Sequence, residues 1–222
     1  MRAVSSFSAF APLAAIAVLS ACATVEIPPA VTDIASRACA TSVDLTKAAP
    51  LAPPKPDEAR QFTVTAKVDS SFPCVEIDGA KATFALFSMP AEPTQKTITV
   101  GGVFEAVRIF APIVQTLDAN GSPLRIFDGE DFLVRGALYS AQFRPRTEEA
   151  YILVRSAAGL AGGKNDQIRM GINSTSTFVP GVGAISINTG GDTAASRTFS
   201  HEGVVQVIVA DPRPPQAEAK KR

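Results

Sequence analysis

The stretch "QFTVTAKV", residues 61–68, alternates strictly between apolar and polar side chains. In an extended chain Phe62, Val64, Ala66 and Val68 fall on one face, and Thr63, Thr65 and Lys67 on the other, because successive side chains of a strand point to opposite sides. β-Branched and aromatic residues fit such a half-buried pleated surface. The same texture recurs downstream in "KATFALFSM", "KTITVGG", "EAVRIFAPIVQTLD", "SPLRIFD", "DFLVRG", "ALYSAQF", "AYILVRS" and "GVVQVIVAD". In the last of these Val205, Val207 and Val209 share a face. Asn120-Gly121 in "LDANGSP" separates two of the runs, a strong hairpin signal. No convincing helical periodicity interrupts 61–210. Many short strands at close spacing predict an all-β chain folded as a single antiparallel β-sandwich, jelly-roll-like, over 61–210.

The chain before residue 61 reads differently. Arg2 is the only charge in residues 1–21, and a mostly apolar run extends from Phe7 to Leu19, interrupted by Pro12. That run is shorter than the ~20 residues a spanning helix needs, and it has the length of a signal-peptide apolar region. It ends in Leu19-Ser20-Ala21-Cys22. An aliphatic residue, two small residues and a cysteine closing an apolar run resemble a bacterial lipobox, which implies cleavage after Ala21 and acylation of the Cys22 thiol. The alternative is a secreted protein cut elsewhere, with Cys22 an ordinary thiol. Each buried acyl methylene contributes about 0.8 kcal/mol, so several chains would hold the protein firmly at a membrane. Ala23, rather than Asp, follows the cysteine; in the lipoproteins this resembles, that implies sorting to the outer membrane, with the domain facing the periplasm. Residues 22–60 contain "VEIPPA" and "APLAPPKPDEAR", Pro-rich stretches that read as a tether, with one short helix expected near Thr32–Ala40. Residues 211–222 read as a disordered tail.

The chain has 21 basic and 21 acidic residues; losing Arg2 with the signal peptide leaves 20 and 21, a net charge of −1. Such a balance offers no electrostatic footprint for nucleic acid. Cys39 and Cys74 remain once Cys22 is set aside. An even pair in an exported chain suggests a disulfide, two buried free thiols being the alternative.

Residues 157–203 hold nine of the fifteen glycines, with many Ser, Thr and Asn. "QIRMGI" and "GAISIN" read as strands within it and the remainder as exposed loop, a place where function often sits. Catalytic sets are incomplete. "AGLAGGKN", 158–165, lacks the first glycine of a P-loop and has Asn165 where a Ser or Thr would hold magnesium. His201 is the single histidine and reads as a surface or capping residue. Carboxylates cluster at Asp128, Glu130 and Asp131 and at Glu148-Glu149; the first cluster is Gly-centred and turn-like and reads as a solvated loop rather than a calcium or glycosidase site. With no Trp and two Tyr, the composition does not favour direct tight sugar binding. No catalytic residue, cofactor or metal is expected.

From "FALFSMP" through "IFAPIVQTLDANGSPLRIF" and "YILVRS" to "HEGVVQVIV", the landmarks resemble the maltose-operon periplasmic protein family (MalM). Phe84, Leu86, Pro90, Phe110, Pro112, Leu117, Asp118, Gly121, Pro123, Tyr151 and Leu153 follow that family's order, while Phe87-Ser88-Met89 departs from its spacing. The landmarks also look somewhat like pre-peptidase C-terminal β-sandwich modules. The resemblance implies a non-enzymatic accessory lipoprotein linked to maltodextrin uptake, with an envelope protein as partner and an oligosaccharide as a possible ligand.

Overall fold

The computed structural model describes residues 27–53, 60–181 and 183–212. The signal segment 1–21, the lipobox Cys22 and nearly all of the 211–222 tail lie outside the described residues.

Fourteen strands run through the described chain: β1 (Ala49–Pro50), β2 (Gln61–Val68), β3 (Cys74–Ile77), β4 (Ala80–Ser88), β5 (Thr97–Val103), β6 (Arg108–Phe110), β7 (Pro112–Leu117), β8 (Pro123–Phe127), β9 (Leu133–Arg135), β10 (Leu138–Phe143), β11 (Tyr151–Ser156), β12 (Lys164–Val179), β13 (Gly183–Ser200) and β14 (Gly203–Ala210). One sheet orders them β1-β4-β11-β7-β8, with β3 added beside β4; the second runs β2-β14-β5-β10-β9; a third, smaller sheet is β12-β13-β6. The first two pack face to face as the expected all-β sandwich. Their inward side chains form one core: Ala85, Phe87, Val114, Ile152 and Val154 from the first sheet meet Val68, Ile98, Val100, Ala141, Phe143, Val205, Val207 and Val209 from the second. Burying each large aliphatic or aromatic side chain contributes roughly 1.5–3 kcal/mol.

The period-two reading of β2 and β14 holds residue by residue. They pair antiparallel from Val68↔Gly203 to Gln61↔Ala210, with Val205, Val207 and Val209 facing the core. In "KATFALFSM" the alternation is masked because β4 is covered on both sides. Ala85 and Phe87 face the core, while Phe84 and Leu86 lie under Val43, Leu45 and Ala48 of the N-terminal segment. Asn120-Gly121 closes the β7–β8 hairpin as expected: the Asp118 carboxylate accepts the N–H groups of Asn120 and Ser122, and Gly121 takes φ +87°. A second tight turn, Asp78-Gly79 between β3 and β4, carries the same chemistry, with φ +53° and +75°. "EAVRIFAPIVQTLD" divides at Ala111: β6 joins β13, and β7 joins β11. Gly101 and Gly102 are demanded by close approach, since a Cβ at Gly101 would stand 2.0 Å from the Tyr139 carbonyl oxygen and one at Gly102 2.5 Å from that of Phe110.

Three expectations are corrected. The helix near Thr32–Ala40 does not form; Ala35 N–H caps onto the Asp33 carboxylate and Arg37 N–H onto the Ile34 carbonyl, leaving one turn. Residues 27–53 are not a tether pinned through Cys39 alone either. Arg37 donates to the carbonyls of Ser70 and Phe72, Lys81 donates to those of Ala35 and Arg37, and Ala40 bridges Val75. The Arg37 and Lys81 contacts run from side chain to backbone and the Ala40 bridge from backbone to backbone, all across distant sequence that no local pattern advertises. The third correction is the Gly-rich region. It is dominated by a β-ribbon, β12 and β13, rather than by loop. Cys39 and Cys74 are bonded, with sulfurs 2.12 Å and Cα atoms 4.8 Å apart, which staples the N-terminal segment to the start of β3.

Candidate functional site

β12 and β13 pair over sixteen register positions, from Lys164↔Thr198 to Val179↔Gly183. At 3.3–3.4 Å per residue the ribbon is about 50 Å long. Its base is tied to the sandwich: β13 pairs β6 through Thr198–Ser200, and Phe199 packs with Ile109, Ala111 and Ala157. Beyond the base the side chains stand in solvent. Ile168, Ile172 and Phe178 are 72, 78 and 75% exposed, and Ile187 is 59% exposed. No charged residue occurs from Gly171 to Gly191. Exposed large apolar side chains without charge mark an interaction surface or an aggregation hazard. The ladder forms although Gly, Ser, Thr and Asn dominate both strands, because each strand supplies the other's backbone partners. "QIRMGI" and "GAISIN" were the only local signals of it.

"AGLAGGKN" supplies the turns that lead into β12. Gly162 N–H donates to the Phe199 carbonyl, Gly163 N–H to that of Leu160, and the Lys164 ammonium to Thr198 Oγ1 at 2.8 Å. A strand follows, so no helix N-terminus is presented to a phosphate.

At the ribbon's base lies a polar cluster that the sequence did not reveal. His201 is buried, 4% exposed, rather than the surface or capping residue expected. Its Nδ1 is 2.8 Å from Ser156 Oγ, which also accepts the Thr83 N–H at 3.0 Å. The Thr83 hydroxyl donates to the His201 carbonyl, and the His201 N–H donates to Val31. Burial lowers the His201 pKa, against a smaller opposing pull from Asp33, so the ring is neutral at pH 7. The Ser156–His201 pair joins β11, β4 and the N-terminal segment. Ser156 is fully buried with its oxygen engaged by Thr83, so no substrate carbonyl reaches it as it would a nucleophile.

The acidic clusters separate. Asp128, Glu130 and Asp131 sit on an exposed 3-10 turn with a capping box. Glu149, by contrast, is a buried anchor. Its carboxylate accepts from Arg125 Nε at 2.5 Å, Arg125 Nη2 at 2.7 Å, Arg146 N–H at 2.8 Å and Thr116 Oγ1 at 2.8 Å. Desolvation raises its pKa, but these hydrogen bonds and the Arg125 charge outweigh it and lower the value. Among the described residues, no three His, Cys, Asp or Glu side chains are grouped to hold a metal ion, and no helix is long and apolar enough to cross a membrane.

A cleft of about 370 Å³ opens beside the disulfide, lined by the N-terminal segment, β4 and Ala66 of β2. Ala66, Phe72, Phe84 and Phe87 contribute to its apolar lining, and Ser42, Asp44 and Lys47 its polar groups. Comparison of the chain with protein-family models, with curated proteins and with solved structures gives no match.

Proposed function

We propose that this chain is a non-catalytic, lipid-anchored interaction module of the bacterial envelope, working through the β12–β13 ribbon. The observation that carries the reading is the ribbon itself: a long, solvent-exposed ladder that bears isolated Ile and Phe side chains and is free of charge from Gly171 to Gly191. The lipobox at Leu19–Cys22 and the disulfide Cys39–Cys74 support an exported, membrane-held protein.

Anchor and ribbon lie at the same end of the molecule on this reading. Pro29 accepts from Arg108, and Val31 is bound to Ser200 and His201 at the ribbon's base. Residues 22–26 reach at most about 18 Å. A lipid on Cys22 therefore holds the ribbon's base close to the membrane surface instead of at the end of a long tether. The Cys22→Ser chain is expected to leave the membrane fraction on cell fractionation, and unchanged fractionation would remove the anchor. A photo-crosslinking residue at Ile172 in living cells is expected to give adducts that the same residue at exposed Thr65 does not. Equal labelling at both positions would end the ribbon reading.

The cleft favours a second reading, a small-ligand binder. The resemblance to MalM would make the ligand a maltodextrin and the protein an uptake accessory. Calorimetry with maltodextrins at millimolar concentration tests it: absence of heat would discard the sugar.

A further inference from the structure

Resting on the ribbon as the working surface, we propose that its occupant is a second copy of this chain, paired edge to edge, β13 of one copy against β12 of the next. Three observations carry this.

The ribbon has two open edges. Among the described residues, β12 pairs with β13 alone, and the far edge of β13 is paired only at Thr198–Ser200. Isolated two-stranded ladders are marginal in water, and long open edges template further pairing. Such edges are ordinarily blunted by Lys, Pro, bulges or shortness. Here the register runs unbroken for sixteen positions, with no charge from Gly171 to Gly191.

Size alternates across the ladder in a self-complementary way. On one face β12 carries the large side chains and β13 the small ones, as in Ile168↔Ala194, Ile172↔Gly190 and Phe178↔Ala184. On the other face the order reverses near the tip, with Thr175↔Ile187 and Thr177↔Ile185, while Gln167↔Ala195 nearer the base keeps the larger residue on β12. Setting a neighbour's β12 beside β13 places large beside small at the Ile168, Ile172, Phe178, Ile185 and Ile187 positions. Pairing β12 with β12 would place large beside large and leave the β13 edges open. The head-to-tail arrangement satisfies both edges of every copy when the ring closes.

A different partner is less well served. Charge complementarity has nothing to act on between Gly171 and Gly191. Lipid alone does not fit, because Ser174, Ser176, Ser186 and Asn188 interrupt one face and Asn173, Thr175, Thr177 and Thr189 the other, and open strand edges are not tolerated in hydrocarbon.

The test uses the full chain, with its N-terminal segment, purified in mild detergent and sized by light scattering. The parent is expected at a multiple of the chain mass. Two variants are expected at one chain mass with thermal unfolding of the sandwich retained. In the first, residues 170–192 are replaced by Asn-Gly, joining the registered pair Arg169 and Thr193. In the second, Ile172→Lys and Ile187→Lys place charge on the two faces. Both keep Cys22, so clustering through the anchor would persist in them. A parent of one chain mass, or a shortened chain that stays multimeric, would overturn the proposal. Ile172 crosslinks going only to other proteins, with the parent at one chain mass, would overturn self-assembly and leave the interaction reading standing. A parent of one chain mass that the ribbon carries onto phosphatidylethanolamine–phosphatidylglycerol vesicles would assign the ribbon to lipid and overturn it as well.

Discussion

Replacing Glu149 with Gln is expected to destabilise the domain by about 3 kcal/mol, the low end of what breaking a buried ion pair costs. The carboxylate is fully buried and accepts four hydrogen bonds, two from Arg125 and one each from Arg146 N–H and Thr116. Gln keeps the shape and one acceptor oxygen. Its amide must then face a pair of donors, either the Arg125 Nε and Thr116 hydroxyl or the Arg125 Nη2 and Arg146 N–H. Each lost bond to a charged group is worth roughly 1.5–3 kcal/mol. The low end applies because the Arg125 side chain is 20% exposed, so water partly replaces what it loses. Arg125→Met is a cleaner partner than Ala, since its stem can still lie over Phe127 and Phe143, whose ring centroids are 5.0 and 5.1 Å from the guanidinium. Urea unfolding of both single variants and the double variant gives a thermodynamic cycle, with an expected coupling of 0.5–3 kcal/mol. An E149Q chain within about 0.5 kcal/mol of the parent, the range of ordinary surface substitutions, would refute the reasoning.

Further outcomes follow from the same geometry. The Cys39–Cys74 bond spans 35 residues, so the Cys39→Ala, Cys74→Ala chain is expected to lose roughly 3–4 kcal/mol in urea unfolding, and oxidised denatured protein to show no thiol from either position. His201 is a base with a lowered folded pKa: above its unfolded value of about 6.5 both states are neutral, and as pH falls below that the unfolded chain takes up a proton the native state refuses. Stability is therefore expected to be level from pH 8 to 7 and to decline from pH 6.5 towards the folded pKa, with a limiting slope of about 1.4 kcal/mol per pH unit that His201→Asn abolishes. Glu149 acts in a separate window, its contribution being lost only as pH falls below the ordinary carboxylate range, which E149Q would show as a flattened acid limb. Gly101→Ala is expected to cost more than 3 kcal/mol or to prevent soluble expression, because its Cβ would meet the Tyr139 carbonyl at 2.0 Å; wild-type unfolding in that variant would contradict the close approach.

Strand identity was legible wherever one face of a strand met the core and the other met water, as in β2 and β14, because the pleat turns that contrast into a period of two. The β7–β8 hairpin was legible because Asn-Gly settles a turn locally. β3 is too short to show a period: it is four residues long, and the Asp78-Gly79 turn beside it is its one local signal. The candidate site was the least legible part. His201 and Glu149 look like surface residues in sequence; they are buried because Ser156, Thr83, Arg125 and Thr116 arrive from 24 to 118 positions away.

By itself, then, the sequence determined the all-β class, the strand faces and the Cys39–Cys74 candidate pair, because these follow from local alternation, turn chemistry and residue count. Tertiary structure alone decided that residues 27–53 lie docked on the sandwich, that a lone histidine and one glutamate are buried and partnered, and that a Gly-, Ser- and Thr-rich region stands out as a ribbon. A strand with weak intrinsic propensity is specified by the strand beside it, and that partner is a property of the fold rather than of the local sequence.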